Sequence, residues 1–362
     1  MALLKFIIGT CLVVGVWALS TQLQNSVFSS AYSMLLLFIQ MIFIQTAIMH
    51  FNRKTYIDPE RKAVLITGCD TGFGHELAMK LDQKGFSVYA CCLFADGTGA
   101  NMLREKMSSK SKVIQLDVVS DEQIQKAVKD VRSDLGHNML WALVNNAGIA
   151  EISEIEFCAV SQFQHIMNVN VMGMVRVTKA FLPLLRESKG RVVNVASLAG
   201  RFTLPAFSAY SMSKVACIAF SDGLRQEMNK FGIKVITVEP GLYKTPIVNE
   251  DSVENKNRKC WAETPKDITE VYGEEYFDSF IKSIRTHLKR ARSNVSEVVE
   301  MMAEAVCIER PKIRYIPYWV ANLRANILML LPSQVKDWIF GLRACKVQPT
   351  GSAKIHSAHI HS

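Results

Sequence analysis

Residues 62–74, KAVLITGCDTGFG, leave this chain little choice of fold. Lys62 to Thr67 is a short apolar run with strand character, and Gly68-Cys69-Asp70-Thr71-Gly72-Phe73-Gly74 follows at once. Leu77, Ala78 and Leu81 then recur at helical spacing. A strand that turns through glycines straight into a helix opens a dinucleotide-binding unit. The glycines let the backbone approach a pyrophosphate, and the helix N-terminus turns unpaired N–H groups toward its charge. Strands and helices alternate from here on, which implies a Rossmann-like, doubly wound α/β fold with a parallel sheet.

A second stretch, residues 191–214, RVVNVASLAGRFTLPAFSAYSMSK, carries chemistry. Val192, Val193 and Val195 make a strand, Ser197 stands at its end, and a helix follows. Tyr210 and Lys214 are four residues apart, so on that helix they share a face. Hydroxyl, phenol and amine thus converge at the C-terminal edge of the sheet, where open α/β folds place ligands. A Tyr phenol ordinarily titrates near pH 10, and an ammonium beside one favours the phenolate. A phenolate can take the proton of an alcohol while the carbon gives up a hydride. Ser197 would hold the substrate oxygen.

These motifs resemble those of the short-chain dehydrogenase/reductases over residues 60–320. TGCDTGFG matches the family's TGxxxGxG at Thr67, Gly68, Gly72 and Gly74, and Asn145-Asn146-Ala147-Gly148 matches its NNAG. Asn170, Ser197, Tyr210 and Lys214 fall on the catalytic Asn, Ser and YxxxK. Pro240, Gly241 and Thr245 fall on positions at the nicotinamide end, and Asp117 on the one near the adenine. The resemblance implies a cofactor held by Gly68, Asp70, Thr71, Gly72, Phe73, Gly74, Asp117, Asn145, Ala147, Gly148, Tyr210, Lys214, Pro240, Gly241 and Thr245. It also implies that Asn170 holds a water linking Lys214 to solvent. GCDTGFG, LWALVNNAG and VYGEEYFDSF look like the branch of retinol dehydrogenases, oxidative 17β-hydroxysteroid dehydrogenases and 3-hydroxybutyrate dehydrogenase.

The end of the second strand normally chooses the cofactor: an acid there binds the ribose 2′-OH, and a cation accepts a 2′-phosphate. Cys92 and Leu93 supply neither, and no Arg or Lys follows until Arg104. NAD is therefore the expected cofactor, as in the branch resembled, with Asp96 a candidate for the ribose. Residues 161–186 read as one long helix carrying Asn170. Periodicity fails over residues 242–280, where Tyr243, Pro246, Ile247, Trp261, Tyr272 and Phe277 are candidates for a substrate lid. Ile149 and Phe207 are the better pocket candidates, beside Ser197 and Tyr210; being apolar, they favour a lipophilic substrate. Lys244 and Arg201 are the cations near the site in sequence that a hydroxy acid could use.

Residues 1–52 form a separate anchor with two apolar runs, 2–19 and 32–49, each just long enough to span a bilayer. Arg53, Lys54, Arg61 and Lys62 follow the second run, which places the enzyme on the cytosolic side, with the endoplasmic reticulum as the expected membrane. A mitochondrial membrane is the alternative, although no Arg precedes residue 53 as a presequence would have it. The chain has 362 residues, 49% of them hydrophobic, and a net charge of +9, which suits an anionic lipid surface. No basic repeat with interleaved aromatics points to nucleic acid. Nine cysteines without CxxC pairing suggest reduced thiols, and no metal site is expected. Residues 321–345 are an amphipathic segment suited to a bilayer surface or to packing on the enzyme body. Residues 346–362 read as a disordered tail.

The sequence thus predicts a membrane-anchored, NAD-dependent oxidoreductase acting on an alcohol or ketone of an apolar molecule such as a steroid or retinoid, with a homodimer as the candidate assembly. A (R)-3-hydroxybutyrate dehydrogenase is the competing enzyme. A catalytically silent binding protein on the same fold is the competing class.

Overall fold

The structure, a computed structural model, describes residues 14–15, 30–51, 54–341 and 347–351. Most of the apolar run 2–19 and of the expected tail 346–362 lies outside the described residues. The chain divides into two units, Met1–Tyr56 and Ile57–Ser362. In the first, α1 (Ser30–Phe51) is a 22-residue helix without Asp, Glu, Lys or Arg. Among the described residues no helix is long and apolar enough to cross a membrane, so the expected crossing segments are not shown.

The second unit is built on seven parallel strands. They are β1 (Lys62–Thr67), β2 (Ser87–Cys92), β3 (Lys112–Gln115), β4 (Met139–Asn145), β5 (Arg191–Val195), β6 (Lys234–Val238) and β7 (Arg314–Tyr315). Their order is β3-β2-β1-β4-β5-β6-β7, so the winding reverses between β1 and β4. Runs such as Ala63–Ile66 and Val192–Val193 are buried on both faces, as central parallel strands must be. One face packs under α2 (Gly72–Gln83), α3 (Thr98–Lys106) and α11 (Ser296–Cys307). The other packs under α4 (Asp121–Asp134), α6 (Met174–Ser188) and α7 (Ser208–Met228). Arg191 opens β5 fully buried; its Nη1 donates to Ala305 O at 2.8 Å and Ile308 O at 2.7 Å, and its guanidinium lies 4.4 Å from the Trp141 ring centroid.

The long helix expected over residues 161–186 is interrupted. α5 (Val160–Met167) runs into a π-helical segment, Asn168–Gly173, before α6 begins. The wider turn carries an extra residue and turns Asn170 inward, where Ile149 N donates to its Oδ1 at 2.8 Å and its Nδ2 donates to Ile149 O at 2.9 Å. Gly173 closes the segment against Val118, whose Cγ2 would lie 2.7 Å from a Cβ at that position.

Residues 242–280 are helical where the sequence pattern failed: α8 (Glu250–Glu263), α9 (Lys266–Tyr272) and then α10 (Glu274–Leu288). Trp261, Tyr272 and Phe277 gather around Phe157 here, with Trp261 stacked on Phe277 at 4.4 Å between centroids. These three expected lid residues are the core of a satellite cluster, and none lines the cavity described below. Residues 318–340 make two helices, α12 (Trp319–Leu330) and α13 (Ser333–Gly341), because Pro332 forces Leu331 into an extended conformation.

Candidate active site

The C-terminal ends of β1, β4, β5 and β6 open into one cavity of about 1140 Å³. Gly68 and Gly72 turn the chain out of β1 at φ +70° and +64°, a region that costs glycine nothing. A Cβ on Gly68 would sit 2.8 Å from Ala147 Cα, and one on Gly74 2.4 Å from Gly68 O. Thr67 Oγ1 accepts the backbone N–H groups of Asn146 and Ala147, each at 3.0 Å, and Asn146 Nδ2 donates back to Thr67 O at 2.9 Å. The glycine turn and the NNAG loop are thus one rigid floor. α2 begins on that floor with no carboxylate in its first turn and no side-chain cap from Thr71. That leaves an N-terminus suited to a pyrophosphate.

Most of the residues singled out in the sequence meet on the cavity wall. Gly68, Asp70, Thr71, Gly72, Phe73, Ala147, Gly148, Pro240, Gly241 and Thr245 line one end. Ser197, Tyr210, Lys214, Ile149 and Phe207 line the same cavity. Lys214 Nζ is 5.6 Å from the Tyr210 ring centroid and donates to Val195 O at 3.0 Å. Of an ammonium's three donors that spends one, within a side chain otherwise buried. Ser197 Oγ accepts Ala199 N–H at 3.1 Å and donates to Pro240 O at 3.3 Å, a long bond that a substrate oxygen can replace. A Cβ on Gly148 would lie 3.2 Å from Asn170 Oδ1 and 3.6 Å from Lys214 Nζ, so these three groups share one corner.

Five expected residues stand off the wall. Asn170 is buried behind it, its Nδ2 on Ile149 O and Ser213 Oγ, and its backbone oxygen accepts Cys217 Sγ–H at 3.3 Å. It positions the Ile149 loop. Asn145 points into the sheet, where Nδ2 donates to Thr178 Oγ1 at 2.9 Å and Asn194 Oδ1 at 2.8 Å; any part it takes in holding a cofactor runs through its backbone. Asp117 caps its own turn through Val119 N at 3.0 Å. Gly74 serves close packing. Asp96 is exposed, and its carbonyl accepts Asn101 Nδ2.

Two further ionisable residues need separating from the chemistry. Tyr243 also lines the cavity, but burial, and then the Glu297 carboxylate to which it donates at 2.9 Å, push its phenol well up. It stays protonated, unlike an acid–base phenol. Arg201, one of the two expected substrate cations, holds Glu239 through Nε at 2.7 Å and Nη2 at 2.9 Å and is not on the wall; nor is Lys244. The cations that do line the cavity are Lys256, Arg292 and Arg324, besides Lys214. Arg292 is held by Glu297. Tyr318, Ile327, Leu328, Leu331 and Phe340, on α12 and α13 and at their ends, also line the cavity. Helical amphipathicity alone marked that segment in the sequence, with nothing to say which way it faced.

A nicotinamide dinucleotide fits this geometry: the glycine cradle and helix terminus share one cavity with Pro240, Gly241, Thr245, Lys214 and Tyr210. Comparison with known proteins agrees. Residues 62–256 match the family model described as short chain dehydrogenase. The chain is 39% identical to D-beta-hydroxybutyrate dehydrogenase, mitochondrial, of Rattus norvegicus, over 80% of this chain and 88% of that one. It is 39% identical to 17-beta-hydroxysteroid dehydrogenase type 6 of Rattus norvegicus, covering 78% and 88%. It is 40% identical to retinol dehydrogenase 16 of Mus musculus, covering 76% and 86%. Among solved structures, a short-chain dehydrogenase from Streptomyces avermitilis is similar, with a TM-score of 0.62 at 25% identity, over 78% of this chain and 98% of that one.

Proposed function

The chain belongs to the short-chain dehydrogenase family and is an NAD(P)-dependent oxidoreductase, and on that premise we propose that it transfers a hydride between NAD and the alcohol carbon of an apolar substrate while attached to a membrane. The observation that carries the reading is that Tyr210, Lys214 and Ser197 line the same cavity as Ile327, Leu328, Leu331 and Phe340. A bound nicotinamide supplies or accepts the hydride. Tyr210 Oη takes the hydroxyl proton in oxidation and returns it in reduction. Ser197 Oγ, once it leaves Pro240 O, holds the reacting oxygen. Lys214 stabilises negative charge on the phenol oxygen and keeps donors for a ribose hydroxyl. Asn170 fixes the loop of Ile149, one side of the substrate's berth.

Hydroxysteroids and retinol are the apolar alcohols that two of the relatives are named for. A second reading, a small hydroxy acid, rests on the hydroxybutyrate relative and on Lys256 and Arg324, exposed cations on the cavity wall. Membrane attachment is supported by the apolar runs 2–19 and 32–49 and by exposed Trp319 and Trp338 on α12 and α13. The basic residues after the second run favour a cytosolic catalytic unit at the endoplasmic reticulum; the mitochondrial name of one relative is the alternative.

The test is an alcohol panel with NAD and NADP on the full chain, run beside Tyr210→Phe. Turnover of a steroid or retinoid alcohol above that of 3-hydroxybutyrate supports the first substrate reading, and the reverse order the second. Loss of the phenol should lower kcat by about 10²–10⁴-fold and leave nucleotide affinity nearly unchanged. A Phe variant retaining more than about a tenth of wild-type kcat removes Tyr210 from the chemistry.

A further inference from the structure

Cys92 and Leu93 end β2 with neither a carboxylate nor a cation of their own. The fold brings a carboxylate to that spot from the glycine turn. Asp70 Oδ2 accepts Leu93 N–H and Oδ1 accepts Phe94 N–H, each at 2.9 Å. Two successive amides at a strand end, both aimed at one anion, are what a phosphate would use there. Asp70 also lines the cavity, and its backbone is clamped from behind: a Cβ on Gly99 would sit 1.9 Å from Asp70 O. The nearby cation, Arg104, donates to Ala95 O at 2.6 Å and to Asn101 Oδ1 at 2.9 Å. The field of the carboxylate reaches the strand itself, since burial and then Asp70 push the Cys92 thiol up to about 12 against the opposing pull of Arg104.

We propose that Asp70 sets the cofactor preference of this enzyme: its carboxylate occupies the Leu93 and Phe94 amides and so excludes a ribose 2′-phosphate, while its remaining lone pairs accept ribose hydroxyls. This rests on the reading that a nicotinamide dinucleotide binds the glycine turn. A ribose hydroxyl can donate to a carboxylate already engaged by two amides, because each oxygen has a second acceptor site. A 2′-phosphate has no proton to offer and meets an anion where it needs donors. The discrimination is therefore repulsive, built into the first turn and not into the second strand.

The experiment is nucleotide binding to the full chain without turnover, read by quenching of protein fluorescence. Asp70→Asn keeps the shape and removes the charge. NADPH should bind it about tenfold or more tightly than it binds wild type, with NADH unchanged or weaker, a gap of about 1.4 kcal/mol per tenfold. Unchanged NADPH affinity overturns the proposal, and so does a parallel loss of both nucleotides, which would make Asp70 a strut. Should the variant not fold, wild type decides: 5′-AMP should compete with NADH about tenfold better than adenosine 2′,5′-bisphosphate, with the gap narrowing as salt rises. Equal competition overturns it. If NADH itself does not bind wild type, the cofactor reading falls, and this inference with it.

Discussion

Glu239 is fully buried beneath the site, between Arg201, Arg314 and Thr237, with the two guanidiniums at 2.7 and 3.1 Å. Burial raises its carboxyl above the usual range, and Arg201 holds it partly down. Arg201→Ala should therefore cost roughly 3 kcal/mol by leaving a buried charge half-compensated. The sign follows from linkage: an acid whose folded-state pKa is raised destabilises the fold as pH rises through that value, and the penalty vanishes below the unfolded one. Denaturant melts should show the largest loss near neutral pH and a shrinking one as pH approaches about 4. Equal loss at both ends would assign the effect to packing. The sequence showed Arg201 near Ser197 but not its carboxylate partner, 38 residues on, because pairing across β5 and β6 is a tertiary fact. Tyr210 and Lys214 were legible because a helix fixes what stands four residues apart.

At the level of elements, the two strands read as short apolar runs, Lys62 to Thr67 and the one through Val192, Val193 and Val195, agree with β1 and β5 to within a residue. The π segment was not readable, since nothing local distinguishes NVNVMG from the apolar helix around it; it coincides with the bond pair between Asn170 and Ile149, a tertiary contact. Residues 242–280 hid three helices because α8 buries a face that includes the polar Asn257, beside Val253, Cys260 and Trp261, and because much of the α10 stripe, Ile281, Ile284 and Leu288, lies beyond residue 280. The helix pair α12–α13 has two apolar sides. Ile327, Leu328 and Phe340 reach the cavity, whereas Trp319, Leu330 and Trp338 are 73%, 86% and 67% exposed. Leu328→Ala with Phe340→Ala should raise KM for an apolar alcohol about tenfold, the equivalent of about 1.4 kcal/mol of lost apolar contact, with nucleotide affinity held. An unchanged KM would mean that substrate does not reach this wall.

For the molecule as a whole, the parallel, doubly wound sheet and the family membership followed from motifs spaced along the chain, whereas the reversal between β1 and β4 is read from the strand order. Membrane attachment rests on composition, and fractionation is its check. Full-length protein should pellet with membranes and resist alkaline carbonate; recovery in the soluble fraction would refute the anchor. The cavity has one more consequence, for the order in which the protein is made. The residues of its proposed nucleotide end lie between Gly68 and Thr245, and the α11 and β7 that complete the sheet packing beneath them end at Tyr315, whereas Tyr318 to Phe340 emerge last. Because folding during synthesis proceeds from the N-terminus, a nascent chain can hold nucleotide before it can enclose a substrate. A product terminated between Tyr315 and Tyr318 would accordingly remain a nucleotide-binding protein, competing for cofactor without consuming alcohol, whereas one ending before α11 would lose the core that supports the glycine turn.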